Sequence, residues 1–118
     1  MIAPGGGTRI HLAVEPVDFR KSFNGLSLIV VDALGRDPLS GEVFVFRNRR
    51  GDKLKCLYWD GQGFVLAYKR LEQGVFPWPR QADGAVRMLS RPQLEALFDG
   101  LAWWRLAAPQ RCRASAIA

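Results

Sequence analysis

Residues 43–71 read VFVFRNRRGDKLKCLYWDGQGFVLAYKRL, and this stretch decides the fold. Runs rich in β-branched and aromatic residues follow one another along it, at residues 43–46, 54–59 and 64–71. Asn48–Asp52 (NRRGD) has a glycine near its end, as hairpin connections do, and Asp60–Gly63 (DGQG) is a second turn. The stretch therefore predicts a three-stranded antiparallel meander.

On the N-terminal side of the meander, the sequence predicts one strand and one helix. Arg9–Val14 (RIHLAV) is a short apolar run that suits a strand, and Glu15-Pro16 ends it because proline restricts its own φ and the preceding residue. Asp18 is placed to cap a helix that ends before Gly35, since its carboxylate can accept a bond from a first-turn amide. The expected apolar face of this helix consists of Phe19, Phe23, Leu26, Val30 and Ala33.

On the C-terminal side, Ala85–Leu89 suits a further strand and is followed by a second helix. Ser90-Arg91-Pro92-Gln93 is a capping box, with serine at the cap, proline in the first turn and glutamine at the third helical position. The apolar face of this helix is expected to comprise Leu94, Leu97, Phe98 and Leu101. Together the elements predict an α+β fold, with a mostly antiparallel sheet of four to five strands packed by two helices.

The length of 118 residues suits one domain. We expect a flexible N-terminus over residues 1–8, a single domain over 9–106 and a disordered tail over 107–118. The N-terminus lacks the pattern of a signal peptide, and no apolar run approaches the length of about 18 residues that a membrane-spanning helix needs. A cytoplasmic protein without a membrane anchor is expected.

Cysteine and histidine are too few for a zinc site. Cys56 and Cys112 have no CxxC spacing, and the single His11 does not complete a ligand set. We therefore expect no metal, no cofactor and no small-molecule substrate, in a reducing compartment.

The chain is strongly basic. Seventeen Lys and Arg stand against 11 Asp and Glu, for a net charge of +6 and a pI near 10.0. This balance favours a polyanionic partner, either nucleic acid or an anionic membrane surface, although solvated surface charges would produce the same number.

The second hairpin of the meander concentrates this charge. With a two- or four-residue loop centred on Gly61-Gln62, one face of the hairpin carries the pairs Lys53–Arg70, Lys55–Tyr68, Leu57–Leu66 and Trp59–Phe64. With a three-residue loop the pairing register changes, and these side chains no longer share one face. Like charges opposite each other are unfavourable, so an anion would relieve the repulsion. The turn before this hairpin adds Arg49 and Arg50, with Arg47 beside them. The candidate nucleic-acid-binding residues are Arg47, Arg49, Arg50, Lys53, Lys55, Lys69 and Arg70, with Arg20 and Lys21 as weaker ones.

Aromatic residues near this face have two interpretations. Trp59 and Phe64 could stack on unpaired bases, but we favour a core position for both because large aromatics dominate small cores. Phe76-Pro77-Trp78-Pro79 is unusual for a loop, and Trp103-Trp104 follows the second helix. Candidate partner-binding residues are Phe76, Trp78 and Trp104. The alternative is a loop pinned on the core, which we favour for Phe76.

Enzymatic motifs are missing from the sequence. It has no Walker loop, no nucleophile elbow and no metal-ligand cluster. The carboxylates that a nuclease would need are scattered and mostly suit caps and turns. We therefore expect a protein that is not an enzyme.

Three strings carry a resemblance to a known family. VEPVDFRKSFNGL (Val14–Leu26), the stretch from DPLSG to PWP (Asp37–Pro79) and LSRPQLEALFDGLAW (Leu89–Trp103) resemble the TnpB-type accessory proteins encoded by the second reading frame of insertion sequence 66 elements. The resemblance implies a role in transposition beside a separate transposase and a further accessory protein of the element. No catalytic residues carry over.

Two hypotheses follow for this chain. The first is a non-catalytic accessory protein that binds DNA, at the ends of the element, through the basic hairpin. The second is a protein-interaction module that docks on the transposase without contacting DNA. Exposed aromatics beside the arginines would favour the first, and an apolar patch away from them would favour the second.

Overall fold

A computed structural model describes residues 7–79 and 84–109. It contains a single sheet of five strands, two α-helices and a short 3₁₀ helix. In chain order the elements are β1 (Ile10–Ala13), α1 (Phe23–Asp32), β2 (Val43–Arg47), β3 (Lys53–Trp59), β4 (Phe64–Arg70), β5 (Val86–Leu89), α2 (Arg91–Phe98) and the 3₁₀ helix Trp103–Arg105. The strand order is β4-β3-β2-β1-β5, which confirms the predicted α+β fold.

The predicted meander of β2, β3 and β4 is confirmed, and both of its connections are antiparallel hairpins. Lys53 lies opposite Arg70 and Trp59 lies opposite Phe64, as a four-residue connection requires. Asp60 shapes that connection, since its Oδ1 accepts bonds from the amides of Gln62 and Gly63 at 2.9 Å each. The register that the sequence left open is therefore the one that keeps the basic and aromatic pairs on one face.

The β1 strand occupies a place that the sequence did not predict. It pairs parallel with β2 and antiparallel with β5, so α1 is the crossover that joins two parallel neighbours. All four β1 residues are buried, because helices and loops cover both faces of the sheet at this position. The sheet is mixed, although it remains mostly antiparallel.

The start of α1 corrects the prediction. The helix begins at Phe23 rather than after Asp18, and the cap position belongs to Ser22, whose side chain makes no capping bond. Asp18 instead accepts bonds from the amide and guanidinium of Arg20, which closes a local turn before the helix. Of the expected apolar face only Leu26 and Val30 are buried, and Phe23 is 43% exposed. The segment from Pro16 to Lys21 is therefore a loop.

Each face of the sheet has its own core. Under α1 the buried side chains are Ala13, Leu26, Val30, Phe44, Phe46 and Leu57. Beneath α2, Leu94, Leu97 and Trp103 pack on the opposite sides of the same strands, around Leu54 and Cys56. Alternate residues of β2 and β3 thus serve different cores, which explains why both strands are apolar throughout most of their length.

The second helix begins as predicted. Ser90 accepts a bond from the Gln93 amide, and the Gln93 side chain accepts one from the Ser90 amide, so the capping box is complete. The helix ends at Phe98, and Leu101, expected on its apolar face, is 57% exposed.

Several sequence predictions fall outside the described residues. Residues 1–6, 80–83 and 110–118 are not described, and with them most of the predicted N-terminal segment, most of the tail, and Cys112. Within residues 7–79 and 84–109, neither helix has the length and apolar character needed to cross a membrane. In the same residues, His, Cys, Asp and Glu form no group of three that could hold a metal ion.

Candidate nucleic-acid interface

A groove with a volume of about 590 Å³ opens between the β2–β3 turn, the loop before α1 and the exposed end of β4. We call it the basic groove. Its lining residues are Pro16, Val17, Asp18, Phe19, Arg20, Asn48, Arg49, Arg50, Lys53 and Tyr68. Three of the seven predicted nucleic-acid-binding residues, Arg49, Arg50 and Lys53, are thereby brought to one site.

The β2–β3 turn holds its arginines outward. Asn48 Oδ1 accepts bonds from the amides of Gly51 at 2.9 Å and Lys53 at 3.0 Å, and its Nδ2 donates to Asp52 at 2.8 Å. Gly51 has a φ of +88°, a conformation that other residues rarely adopt. The bond from Asn48 also lowers the pKa of the Asp52 carboxyl. Arg49 and Arg50 remain exposed at the tip of this hydrogen-bonded turn and line the groove.

Lys53 and Arg70 oppose each other across the hairpin as predicted, but they differ in surroundings. Lys53 is half-buried and lines the basic groove. Arg70 is exposed, and its Nε donates to Glu72 Oε2 at 3.0 Å, which offsets part of its charge. Glu72 thus reduces the like-charge repulsion that we expected between Lys53 and Arg70.

Lys55 does not lie on the surface, which corrects its assignment as a phosphate-contacting residue. Its side chain is 4% exposed, and its Nζ donates to the carbonyl oxygens of Phe19 at 3.0 Å and Lys21 at 2.8 Å. The ammonium also lies 4.9 Å from the Tyr68 ring centroid. Burial lowers the pKa of this ammonium. Lys55 therefore ties the loop before α1 to the sheet beneath the groove.

Phe19 and Tyr68 form an aromatic wall of the groove. Their ring centroids are 5.8 Å apart at an interplanar angle of 84°, an edge-to-face contact. Tyr68 is 53% exposed although its ring contacts Phe19. The hairpin register predicted Tyr68 opposite Lys55 without marking it as a contact residue, and the apolar periodicity predicted Phe19 on a helix face. Only long-range folding brings these two rings together.

Two other predicted contact residues lie on the opposite face of the sheet. Lys69 donates to the carbonyl oxygen of Phe98 at 2.6 Å, at the end of α2. The Arg47 guanidinium lies 5.1 Å from the Trp78 ring centroid, and burial lowers its pKa. Neither joins the basic groove, because neighbouring residues along a strand point to opposite faces. The predicted basic cluster is therefore divided between two surfaces.

The aromatic loop predicted to bind a partner is largely pinned to the core. Phe76 is fully buried at 0% exposure, so its assignment as a partner-binding residue is corrected. The indole N–H of Trp78 is shared between the carbonyl oxygens of Ala13 and Val14, and Trp103 donates to Pro77 at 2.9 Å. Trp104, the third predicted partner-binding residue, remains 53% exposed beside the buried Trp103.

Comparison with known proteins agrees with the resemblance seen in the sequence. Over 106 residues, 90% of each chain, the protein is 48% identical to the uncharacterized protein y4jC of Sinorhizobium fredii (strain NBRC 101917 / NGR234). Over 103 residues, 87% of this chain and 89% of the relative, it is 41% identical to the uncharacterized protein y4hO of the same strain. No solved structure matches significantly.

The family model described as IS66 Orf2 like protein matches residues 8–108, which cover every element of the fold and the whole basic groove. The chain therefore belongs to the IS66 Orf2-like family of insertion-sequence accessory proteins.

Proposed function

We propose that this protein binds DNA of its insertion sequence through the basic groove, as an accessory factor that leaves strand chemistry to the transposase. The observation that carries the proposal is the convergence of Arg49, Arg50 and Lys53 on one groove beside exposed aromatic surface. Lysine and arginine side chains that contact phosphates neutralise them and release counterions on binding. The net charge of +6 attracts a polyanion over longer distances.

The groove's acidic residue does not oppose such a ligand strongly. Asp18 is already engaged by Arg20, with Oδ2 2.6 Å from Nη2, and this contact lowers the pKa of its carboxyl to about 2. Arg20 is correspondingly satisfied within the chain, which makes it a weaker phosphate ligand than Arg49 or Arg50. The exposed pair Arg49 and Arg50 is therefore the centre of the proposed contact.

A salt titration of DNA binding tests the proposal. Fluorescence anisotropy would follow a labelled terminal inverted repeat at several salt concentrations, with the wild type and with the Arg49→Ala/Arg50→Ala double variant. Loss of two phosphate contacts should weaken binding and reduce the slope of log Kobs against log[salt] by about 1.4–1.8. The matched control is Arg9→Ala/Arg105→Ala, which removes two exposed cations outside the groove.

The control variant loses the same net charge but should keep most of the slope and affinity, because its two cations lie outside the groove. Equal effects of the two double variants would mean that charge acts without a site. Absence of binding by the wild type at low salt would contradict the proposal outright.

A second candidate function is docking on the transposase. The observation in its favour is that three apolar residues close together in the chain after α2 are exposed and do not line the basic groove: Leu101, Trp104 and Leu106, at 57%, 53% and 43%. Exposed apolar groups that cluster are typical of interaction sites. Co-purification of the tagged protein with the transposase should then be lost in Trp104→Ala and kept in Arg49→Ala/Arg50→Ala. The reverse result would assign the contact to the groove.

A further inference from the structure

We infer that the basic groove receives an unpaired nucleotide of a single DNA strand, with its base against the wall of Phe19 and Tyr68 and its phosphates at Arg49, Arg50 and Lys53. This inference rests on the proposed DNA binding and specifies the form of DNA. It concerns single-stranded DNA in preference to duplex.

The shape of the groove favours single-stranded DNA over duplex DNA. The groove is a concavity of about 590 Å³, within the range of about 300–1,000 Å³ found for pockets that take small ligands. A duplex keeps its base faces stacked inside and would touch only the rim, at Arg49 and Arg50. A single strand can turn one base into the groove while its backbone stays at the turn.

The aromatic wall is prepared for a flat ligand. Tyr68 keeps 53% of its surface exposed, while the edge-to-face contact with Phe19 orients its ring. Phe19 is itself held through its carbonyl oxygen by the Lys55 ammonium. Aromatic rings beside cations are the recurrent arrangement of single-strand binding surfaces, because every base presents a π face.

The charge behind the wall points to an anionic ligand as well. Lys55 is 4% exposed, and its Nζ lies 4.8 Å and 4.9 Å from the Phe19 and Tyr68 ring centroids. None of the ion pairs formed by the described residues includes Lys55. The Asp18 carboxylate attracts this ammonium but is already engaged by Arg20, so part of the positive potential of Lys55 remains at the groove. The same wall thus offers a stacking surface and attraction for the neighbouring phosphates.

The test compares the affinity of the full chain for a labelled single strand and for the duplex of the same sequence. Wild type should bind the single strand more tightly. Tyr68→Leu should weaken single-strand binding about tenfold, within the range of about 5- to 150-fold that loss of one stacked base produces, and should change duplex binding less than about twofold. Tyr68→Phe, which keeps the ring, should restore the single-strand affinity. Phe23→Leu is the matched control, since Phe23 is an aromatic residue that is 43% exposed and lies outside the groove.

A second readout reports the stacking itself. A strand containing 2-aminopurine should lose fluorescence on binding the wild type and Tyr68→Phe, and should lose less on binding Tyr68→Leu at saturation. This comparison uses only protein whose circular dichroism and melting temperature match those of the wild type.

The possible results distinguish a failure of the single-strand inference from a failure of the proposed DNA binding. Duplex binding that equals or exceeds single-strand binding would overturn the single-strand inference while DNA binding stands. The same holds if Tyr68→Leu weakens the binding of both forms equally, or weakens the binding of neither form. If neither form binds, or if Arg49→Ala/Arg50→Ala leaves both affinities unchanged, the proposed function itself fails.

Discussion

The ammonium of Lys55 donates a hydrogen bond to the carbonyl oxygen of Phe19 at 3.0 Å and lies 4.8 Å from the ring centroid of the same residue. The contact spans 36 residues of sequence and joins β3 to the loop before α1. One side chain thereby anchors the main chain of one groove wall and contacts its aromatic surface. The basic groove exists because this loop is held against the hairpin.

Replacing Lys55 tests this anchor. Lys55→Met should lower the free energy of unfolding by about 1–3 kcal/mol, because the carbonyl oxygens of Phe19 and Lys21 lose their donor. Lys53→Met is the matched control two residues along the same strand face, where the side chain is half-buried and makes no such bonds; it should change stability by less than about 0.5 kcal/mol. Urea unfolding followed by circular dichroism measures both. Equal stabilities of the two variants would show that Lys55 does not hold the loop.

The two adjacent tryptophans should contribute very different amounts to the free energy of unfolding. Trp103 is 1% exposed and donates to Pro77, whereas Trp104 is 53% exposed. Trp103→Ala should destabilise the protein by about 3–5 kcal/mol through cavity formation, and Trp104→Ala by less than about 1 kcal/mol. Thermal unfolding of the two variants checks the assignment of core and surface, and a larger loss for Trp104→Ala would contradict it.

His11 should make stability depend on pH. It is 1% exposed in β1, an interior strand of the sheet, its Nε2 lies 3.3 Å from Glu42 Oε2, and burial lowers its pKa from the ordinary value of 6.5. Since the unfolded chain then binds the proton more readily than the folded one, stability should fall as the pH drops below about 6.5 toward the lowered folded pKa, and should be fully present above 6.5. Urea unfolding between about pH 7 and 5 measures this slope.

The chain has one histidine, so a single variant isolates the effect. His11→Gln should flatten the slope in that interval, whatever its effect on absolute stability, because the carboxylates titrate at lower pH. A slope that persists in His11→Gln, or stability that increases on acidification, would refute the assignment.

Cys56 should be chemically silent in the folded protein. It is buried among the core residues under α2, and burial raises the pKa of its thiol to about 12, so little reactive thiolate forms. In a Cys112→Ser variant, which leaves Cys56 as the one thiol, reaction with a disulfide reagent should be about a thousandfold or more slower than in denaturant, because it requires unfolding. Rapid labelling under native conditions would show that Cys56 is accessible.

Local patterns of the sequence determined a substantial part of this protein. The meander and its pairing of Lys53 with Arg70, the Asp60 turn and the Ser90 capping box all depend on residues close together in the chain, where side-chain periodicity and turn chemistry act directly. The sequence of the meander and of the capping box also carried the family resemblance, which the family model confirms over residues 8–108.

Tertiary structure alone decided where β1 inserts, where α1 begins and which cations of the hairpin face line the basic groove. Parallel pairing of β1 with β2 depends on a long crossover, and no local pattern marks which strand edge the chain will meet. Docking of the Pro16–Arg20 loop placed Phe19 beside Tyr68 and buried Lys55, while strand alternation had already put Arg47 and Lys69 on the opposite face. The sequence identified the basic residues of the hairpin, but burial and long-range hydrogen bonds determined which of them line the basic groove.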